Sequence, residues 1–476
     1  MRAPRVLVLV GLLLTAVACT RPEATPDTQP LAPPDTFDTT TTVPVPAITV
    51  TTVGFERAAI QPVDPLSLEP IEGYEPIPVG DWFEPFWAAV SDNETWLALN
   101  TGTSVAGLNE VRLINLDEWE TVASWDGSPN GSTLTVLDDG TVYGVTEGRY
   151  GPELTRFFID TQQTVTVAEL PVGSWWSTPH FGDGLAVIFG SKTVGGDPGG
   201  EAAVVTVALE TGEVVEISVS GLETGTVAEV EIGEDYPGVI HASPAAVWDS
   251  RQSRMLIVHA DRDVVTEVDV LSGKVTDHEF GAETSDWGPE YTGTVGEGGG
   301  AFAGITRDAV LSRDGSILFV ATATGGFDVD DAGWSATTES IGMSTIDTEN
   351  WQIIDRLEAP VSEIRLSPDG ARLIATGYRD IQGLNLYEYA SLGFFVIDPV
   401  ELEVLTHHVP ATPEEGYGNL SFSRDSRYAY ATSWREQNAI DVIDLDSGEI
   451  IHTRTGAEIQ LLGEAGILGG AQPLTP

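Results

Sequence analysis

One short pattern recurs seven times along this chain, and it dictates what the chain can fold into. An apolar strand, a tight polar turn and a second apolar strand appear at WAAVSDNETWLALN from Trp87, LTVLDDGTVYGVT from Leu134 and HFGDGLAVIFG from His180. The same unit returns at AAVWDSRQSRMLIVHA from Ala245, AVLSRDGSILFVATA from Ala309, IRLSPDGARLIATG from Ile364 and LSFSRDSRYAYATS from Leu420. Measured between Asn93, Asp139, Asp183, Asp249, Asp314, Asp369 and Asp425, the spacings are 46, 44, 66, 65, 55 and 56 residues. Asp-Gly turns suit hairpins because Asp bonds its local backbone and Gly accepts a positive φ.

A second hairpin follows each first one. VRLINLDEWETVASW from Val111, VVTVALETGEVVEISV from Val204 and AIDVIDLDSGEIIHTR from Ala439 show its alternating β-branched residues around a polar turn. Four antiparallel strands per repeat predict an all-β fold, a β-propeller with seven blades visible in the sequence. The Ser367–Gly370 (SPDG) and Ser312–Gly315 (SRDG) turns, with Val396–Pro399 (VIDP) and Val442–Glu449 (VIDLDSGE), resemble the YVTN-type propellers. That group is related to the WD40-like and quinoprotein amine dehydrogenase-like propellers. The resemblance covers roughly residues 86–456 and implies fold and strand pairing, not chemistry.

The ends offer an eighth, composite blade. Ala59–Ser67 lines up with Ala439–Ser447, and Glu458–Leu461 with Glu363–Leu366. Two outer strands from residues 58–79 and two inner strands from the C-terminus would close the ring and remove open edges. The prolines at 62, 65, 70, 76 and 78 oppose this, because proline donates nothing to a ladder. Seven and eight blades both remain open at this point.

The N-terminus has another purpose. Arg2 and Arg5 precede 13 apolar or small residues, Val6–Ala18, too few to span a bilayer but suited to an export signal. Ala16-Val17-Ala18-Cys19 closes that segment and holds the chain's single cysteine. It resembles a bacterial lipoprotein signal, which implies lipidation at Cys19; ordinary cleavage after Ala18 is the alternative. Residues 20–52 contain 11 threonines and seven prolines, a composition that gives an extended, poorly packing tether. The expected organisation is a signal over residues 1–18, Cys19 with a tether over 19–54, and a propeller over 55–476. The expected location is outside the cytoplasm, on the cell membrane through the lipid, or secreted if no lipid is attached.

Charge narrows the partners. The chain holds 73 acidic and 22 basic residues, a formal charge of −51, which becomes −53 when residues 1–18 are removed with Arg2 and Arg5. A nucleic-acid footprint is excluded, and an anionic membrane surface would repel the body. One cysteine rules out a disulfide framework and multi-cysteine metal sites. P-loop, G-x-S-x-G, H-E-x-x-H and C-x-x-C-H motifs are all missing from the sequence. The expected partner is a protein or a small molecule, met by a monomer.

Propeller geometry then sorts the loops. With strands a to d counted outward from the axis, the a–b and c–d turns share one face and the b–c and d–a loops the other. Every long insertion (191–200, 221–243, 281–303, 324–337, 378–391 and 410–418) belongs to the second class. Long loops on a rigid scaffold are where binding resides. After strand b, blades six and seven carry Tyr378-Arg379-Asp380 and Trp434-Arg435-Glu436, with Glu147, Arg149 and Tyr150 placed similarly in blade two. The blade-six and blade-seven residues, with Asp261 and Trp334, are the candidate binding set; a structural Arg–acid lock between blades is the competing reading. His241, His259, Asp261 and Asp263 form a weak metal-ligand candidate, and Asp328, Asp330 and Asp331 a loose calcium candidate without the D-x-D-x-D-G spacing. No cofactor is predicted. A ligand- or protein-binding module is the leading function, and an enzyme (hydrolase, lyase or lactonase) with its site over the axial channel is the alternative.

Overall fold

The computed structural model describes residues 47–52, 58–80, 88–102, 109–126, 132–147, 151–171, 179–191, 202–222, 225–232, 236–280, 302–330, 333–380, 389–410, 416–434, 439–455 and 459–461, apart from Asp92, Glu94 and Arg424. Cys19 and the export segment lie outside them. Among the described residues there are strands and turns, and no helix long and apolar enough to cross a membrane.

Eight sheets are present among these residues. Seven carry the repeats: blade one holds Ala88–Asp126, blade two Ser132–Glu169, blade three His180–Val219 and blade four Ala245–Glu279. Blade five runs from Phe302 to Leu357, blade six from Glu363 to His408 and blade seven from Gly416 to Thr455. The eighth joins the two ends of the chain. Its inner strand is Ile459–Leu461, followed outward by Ala47–Thr52, Ala58–Val63 and Ile77–Gly80. The closing sheet therefore takes one strand from the C-terminus and three from the N-terminus, not two and two. Ala47–Thr52 falls within the stretch expected to be tether. Its alternation, AITVTT, is that of a strand, and it pairs with Ala58–Val63 along its whole length. Pro62 is tolerated within a strand, opposite Ile48.

The core is a ring of interfaces between neighbouring blades, and strand alternation builds it. Along strand b of blade six, Leu373 and Ala375 pack toward blade five, while Ile374 between them packs toward blade seven. In blade three, Ala186 and Ile188 face blade two and Val187 faces blade four. Because side chains alternate with period two, a strand buried on both faces must be apolar at every position. The ring closes through the composite blade. Ile60 packs with Leu97, Leu99 and Ile114 of blade one, and Val63 and Leu68 pack with Tyr428, Tyr430, Ile440 and Val442 of blade seven. Tyr430 also donates its hydroxyl to the Pro65 carbonyl at 2.8 Å, a bond from blade seven to the far end of the sequence.

The Ser-x-Asp signature is a hydrogen-bond device. In blade six, Ser367 Oγ donates to Asp369 Oδ1 (2.6 Å) and accepts from the Arg372 amide (2.9 Å), while Asp369 Oδ1 accepts from the Ala371 amide (2.9 Å). Ser312–Asp314, Ser423–Asp425 and Ser91–Asn93 repeat the pairing. Several c–d turns are tied by an Asx cap in the same way. Asp64, Asn115, Asp269, Asp347 and Asp398 each accept from two backbone amides further on. The fifth residue of these turns takes a left-handed conformation, at Leu68, Trp119, Trp351 and Leu402 among others. A non-glycine residue there is strained, and all four of these side chains insert into an interface between blades. Packing offsets the strain.

Candidate functional site

The face opposite these turns is built up by ladders, not by irregular loops. In blade five, strands b and c, Ile317–Asp330 and Gly333–Asp347, continue as a hairpin as far as Asp330 opposite Gly333. Blade six extends to Asp380 opposite Tyr389. A bulge at Gly377–Tyr378 starts that extension. Gly377 and Gly393 sit opposite each other there, where a Cβ on either would collide with the Pro360 or His408 carbonyl. Two glycines are thus required by the close approach of flanking backbone.

A second hairpin lies, in sequence, between blades three and four. Its strands, Gly225–Ile232 and Tyr236–Ser243, do not belong to blade four; Tyr236–Ser243 runs parallel to the start of blade five's inner strand, Val239 opposite Phe302 and Ser243 opposite Thr306. Blade five is thereby enlarged to six strands. His241 therefore lies outside blade four: strand a of that blade is Ala245–Asp249, and His241 pairs with Thr226 and Gly304.

The candidate binding residues distribute as follows. Tyr378, Arg379 and Asp380 lie on the extended ladder of blade six, Trp434 ends strand b of blade seven opposite Gly416, and Trp334 pairs with Val329 on the blade-five hairpin. For these residues the description extends to the backbone only, and Arg435 and Glu436 lie outside the described residues. Asp328 and Asp330 occupy alternate ladder positions opposite Ser335 and Gly333, with Val329 opposite Trp334 between them. A calcium loop wraps its backbone around the ion, and a straight ladder does not, so the loose calcium candidate is not a loop at these two positions; Asp331 lies outside the described residues.

Around the b–c loop of blade four the side chains are fully described. His259 is completely buried at the end of strand b. Its Nε2–H donates to Thr266 Oγ1 (2.7 Å), and the Thr266 hydroxyl donates to Asp277 Oδ1 (2.7 Å). Its Nδ1 accepts from Arg262 Nε (3.2 Å), and Arg262 Nη2 donates to the Gly221 carbonyl (2.6 Å) at the approach to the inserted hairpin. Both ring nitrogens are committed, which fixes a neutral imidazole. Burial, reinforced by the Arg262 charge, holds its pKa down to about 4, against the opposing pull of Asp261 and Asp277. Asp261 Oδ1 is 3.8 Å from His259 Nδ1, buried and without a hydrogen-bond partner.

Asp263 holds a buried arginine. Arg307 on strand a of blade five donates to Asp263 Oδ1 (3.1 Å) and to Thr322 Oγ1 (2.5 Å), and its side chain is 6% exposed. The next residue, Asp308, points the other way and accepts from the Ile364 amide (2.8 Å) and Arg365 Nη1 (3.0 Å) of blade six. Alternation on one inner strand thus ties blade five to both neighbours. An Arg-Asp pair inside an apolar strand of a base-poor chain was the available signal.

Of the proposed metal donors, His259 has both ring nitrogens hydrogen-bonded and Asp263 is bound to Arg307, while the backbone of His241 lies on the inserted hairpin. No cluster of three or more His, Cys, Asp or Glu residues suited to a metal occurs among the described residues. Three histidines on the outer strands of blades four and six also have partners. His278 stacks on Trp351 (4.1 Å), His407 on Phe395 (4.0 Å) and His408 on Phe394 (4.5 Å).

No protein-family model and no curated protein matches the chain. Among solved structures it is similar to the dihydro-heme d1 dehydrogenase NirN in complex with DHE, at 15% identity over 87% of this chain and 74% of that one, with a TM-score of 0.54. It is also similar to Saccharomyces cerevisiae Sqt1 (10% identity, 79% and 86% covered, TM-score 0.47) and to the Myceliophteria thermophila Cps50 (Swd1) propeller domain (10%, 78% and 86%, 0.36). At such identities the likeness concerns the fold. The chain is a multi-blade β-propeller.

Proposed function

We propose that this propeller is an exported, lipid-anchored binding module that meets its ligand or protein partner on the b–c/d–a face. The observation that carries the reading is the difference between the two faces. On one, short turns are cross-tied by Ser-Asp and Asx bonds and by links between blades, such as Asp369 N–H to Ser426 Oγ (2.9 Å). The other carries the blade-five hairpin, the blade-six extension and the inserted hairpin. Recognition on such folds resides in segments that vary on a fixed scaffold. The YVTN-type resemblance adds strand-pairing motifs to this reading and assigns no chemistry.

A photo-crosslinking residue placed at Arg379 or Trp434 in cells is expected to give discrete adducts, and one at Asp369 or Val400 none. Alanine at Arg379 or Trp434 is expected to weaken partner binding about thirtyfold, near 2 kcal/mol, without lowering the melting temperature. Asp369→Ala should do the reverse. Adducts from the turn face, or face variants that bind normally and melt early, would make the aromatic–Arg–acid sets blade locks. Anchoring is tested separately: Cys19→Ala should release the protein from membranes or leave the signal uncleaved. Wild-type protein found wholly in the medium with an unmodified N-terminus would overturn lipidation.

A further inference from the structure

The geometry points to the outer strand of the inserted hairpin, Gly225–Ile232, as a strand-addition site for an extended, basic segment of a partner protein. The inference deepens the reading of the b–c/d–a face as the binding face and rests on it.

The six-stranded sheet ends at this strand, whose one strand neighbour among the described residues is Tyr236–Ser243. Proline fixes which amides point outward. Glu231 is opposite Pro237, and Pro237 has no N–H, so this pair cannot exchange ladder bonds and is a non-hydrogen-bonded pair. Pairing is regular from Ala228 to Ile232, so Glu229–Val239 is of the same type by alternation, and Val230–Gly238 is the bonded pair. The N–H and C=O groups of Glu229 and Glu231 are therefore directed away from the hairpin, toward the sheet edge. An added strand forms its main-chain bonds at such positions. The inner edge of blade five already accepts a strand in this manner, since Val239–Ser243 adds to Phe302–Thr306 in parallel.

Charge selects the occupant. Both outward-directed positions are glutamates, and Glu223, Glu234 and Asp235 flank them, with no lysine or arginine between residues 221 and 243. Acidic edge residues and the bulge at Thr226–Ala228 are devices that discourage an edge from pairing with its own kind. A second copy of this chain would bring the same carboxylates and a further charge of −51. A segment alternating lysine or arginine with β-branched residues meets the same edge with opposite charge and strand propensity.

The probe is a fluorescein-labelled eight-residue peptide alternating lysine and valine, added to the mature full-length protein and followed by anisotropy and amide exchange. Binding is expected, with slowed exchange at Glu229 and Glu231. The same peptide N-methylated on alternate amides keeps its charge and is expected to bind at least tenfold more weakly. Glu229→Pro removes one outward N–H without touching a hairpin bond, and Glu229→Lys with Glu231→Lys reverses the charge; each should weaken the peptide at least tenfold. Exchange at Val239 and Ile240 reports whether the hairpin stays docked, and the N-methylated peptide tests the proposal on unaltered protein. Absence of binding, equal binding of the N-methylated peptide, or dimers protected at Glu229 would overturn strand addition. Peptide protection confined to the blade-six and blade-seven strand ends would overturn it while leaving the binding face in place. Protection of the Asx turns would remove both.

Discussion

Asp263→Ala is expected to lower stability by about 3–5 kcal/mol, the range found when one member of a buried ion pair is deleted. Arg307 stays in place with 6% of its side chain exposed, and its Nε is already buried without a partner. Burial alone pulls the guanidinium pKa down, and Asp263 together with Asp261 opposes that pull. Without Asp263 the guanidinium keeps only Thr322 among these contacts, and the more distant Asp261 carboxylate is left to offset its charge at the junction of blades four and five. The deficit therefore measures a stranded charge more than a lost attraction. Arg307→Met in the Asp263→Ala background should recover most of it, because an apolar side chain of similar length removes the stranded charge. Urea unfolding midpoints of the two variants and the parent check both steps. A cost below 1 kcal/mol for Asp263→Ala would mean that water reaches Arg307.

The same pair shows where the sequence stopped being informative. The Ser-x-Asp turns were legible because each is local: Ser312, Asp314 and Ser316 bond within five residues. Strand count and the alternation of interfaces follow from periodicity in the same way. Part of the closing blade was legible too, since Ala59–Ser67 aligns with strand c of blade seven and Ile459–Leu461 does form the inner strand. Ala47–Thr52 was hidden by the threonine and proline around it. Its pairing with Ile459–Leu461 spans almost the whole chain, and no local rule selects such a partner. Arg307 and Asp263 are 44 residues apart and meet only because blades four and five are neighbours. The inserted hairpin misled for a related reason. It has ordinary strand alternation, and its sequence position before blade four gave no sign that it would add to blade five.

Acidification is expected to weaken the fold in two separate windows, and the first belongs to the histidines. His259 has a folded pKa of about 4 against an ordinary value of 6.5. Between these values the unfolded chain binds the proton and the folded chain does not, so stability falls as pH drops from about 6.5 to about 4. At pH 4.5 the loss from this one group is about 2 kcal/mol relative to pH 7.5. His180 acts in the same direction: burial holds its pKa at about 4, and Nδ1 has no hydrogen-bond partner. The turn aspartates follow at lower pH. Hydrogen bonds from Ser316 and Ser312 hold Asp314 at about 2, so its contribution is present above 3.8 and lost only as pH falls toward 2. Protonation of His259 also has a local consequence. Nδ1 ceases to accept from Arg262, two cations face each other, and Arg262 loosens its hold on the Gly221 carbonyl. Amide exchange at Leu222, just beyond Gly221, should therefore speed up between pH 7.5 and 4.5 before the blades unfold. His259→Gln, which carries no titrating ring, should abolish the local response and remove its share of the first window while leaving the aspartate window unchanged. An unchanged urea midpoint between pH 7.5 and 4.5 in the parent protein would show that these histidines are not held neutral by burial.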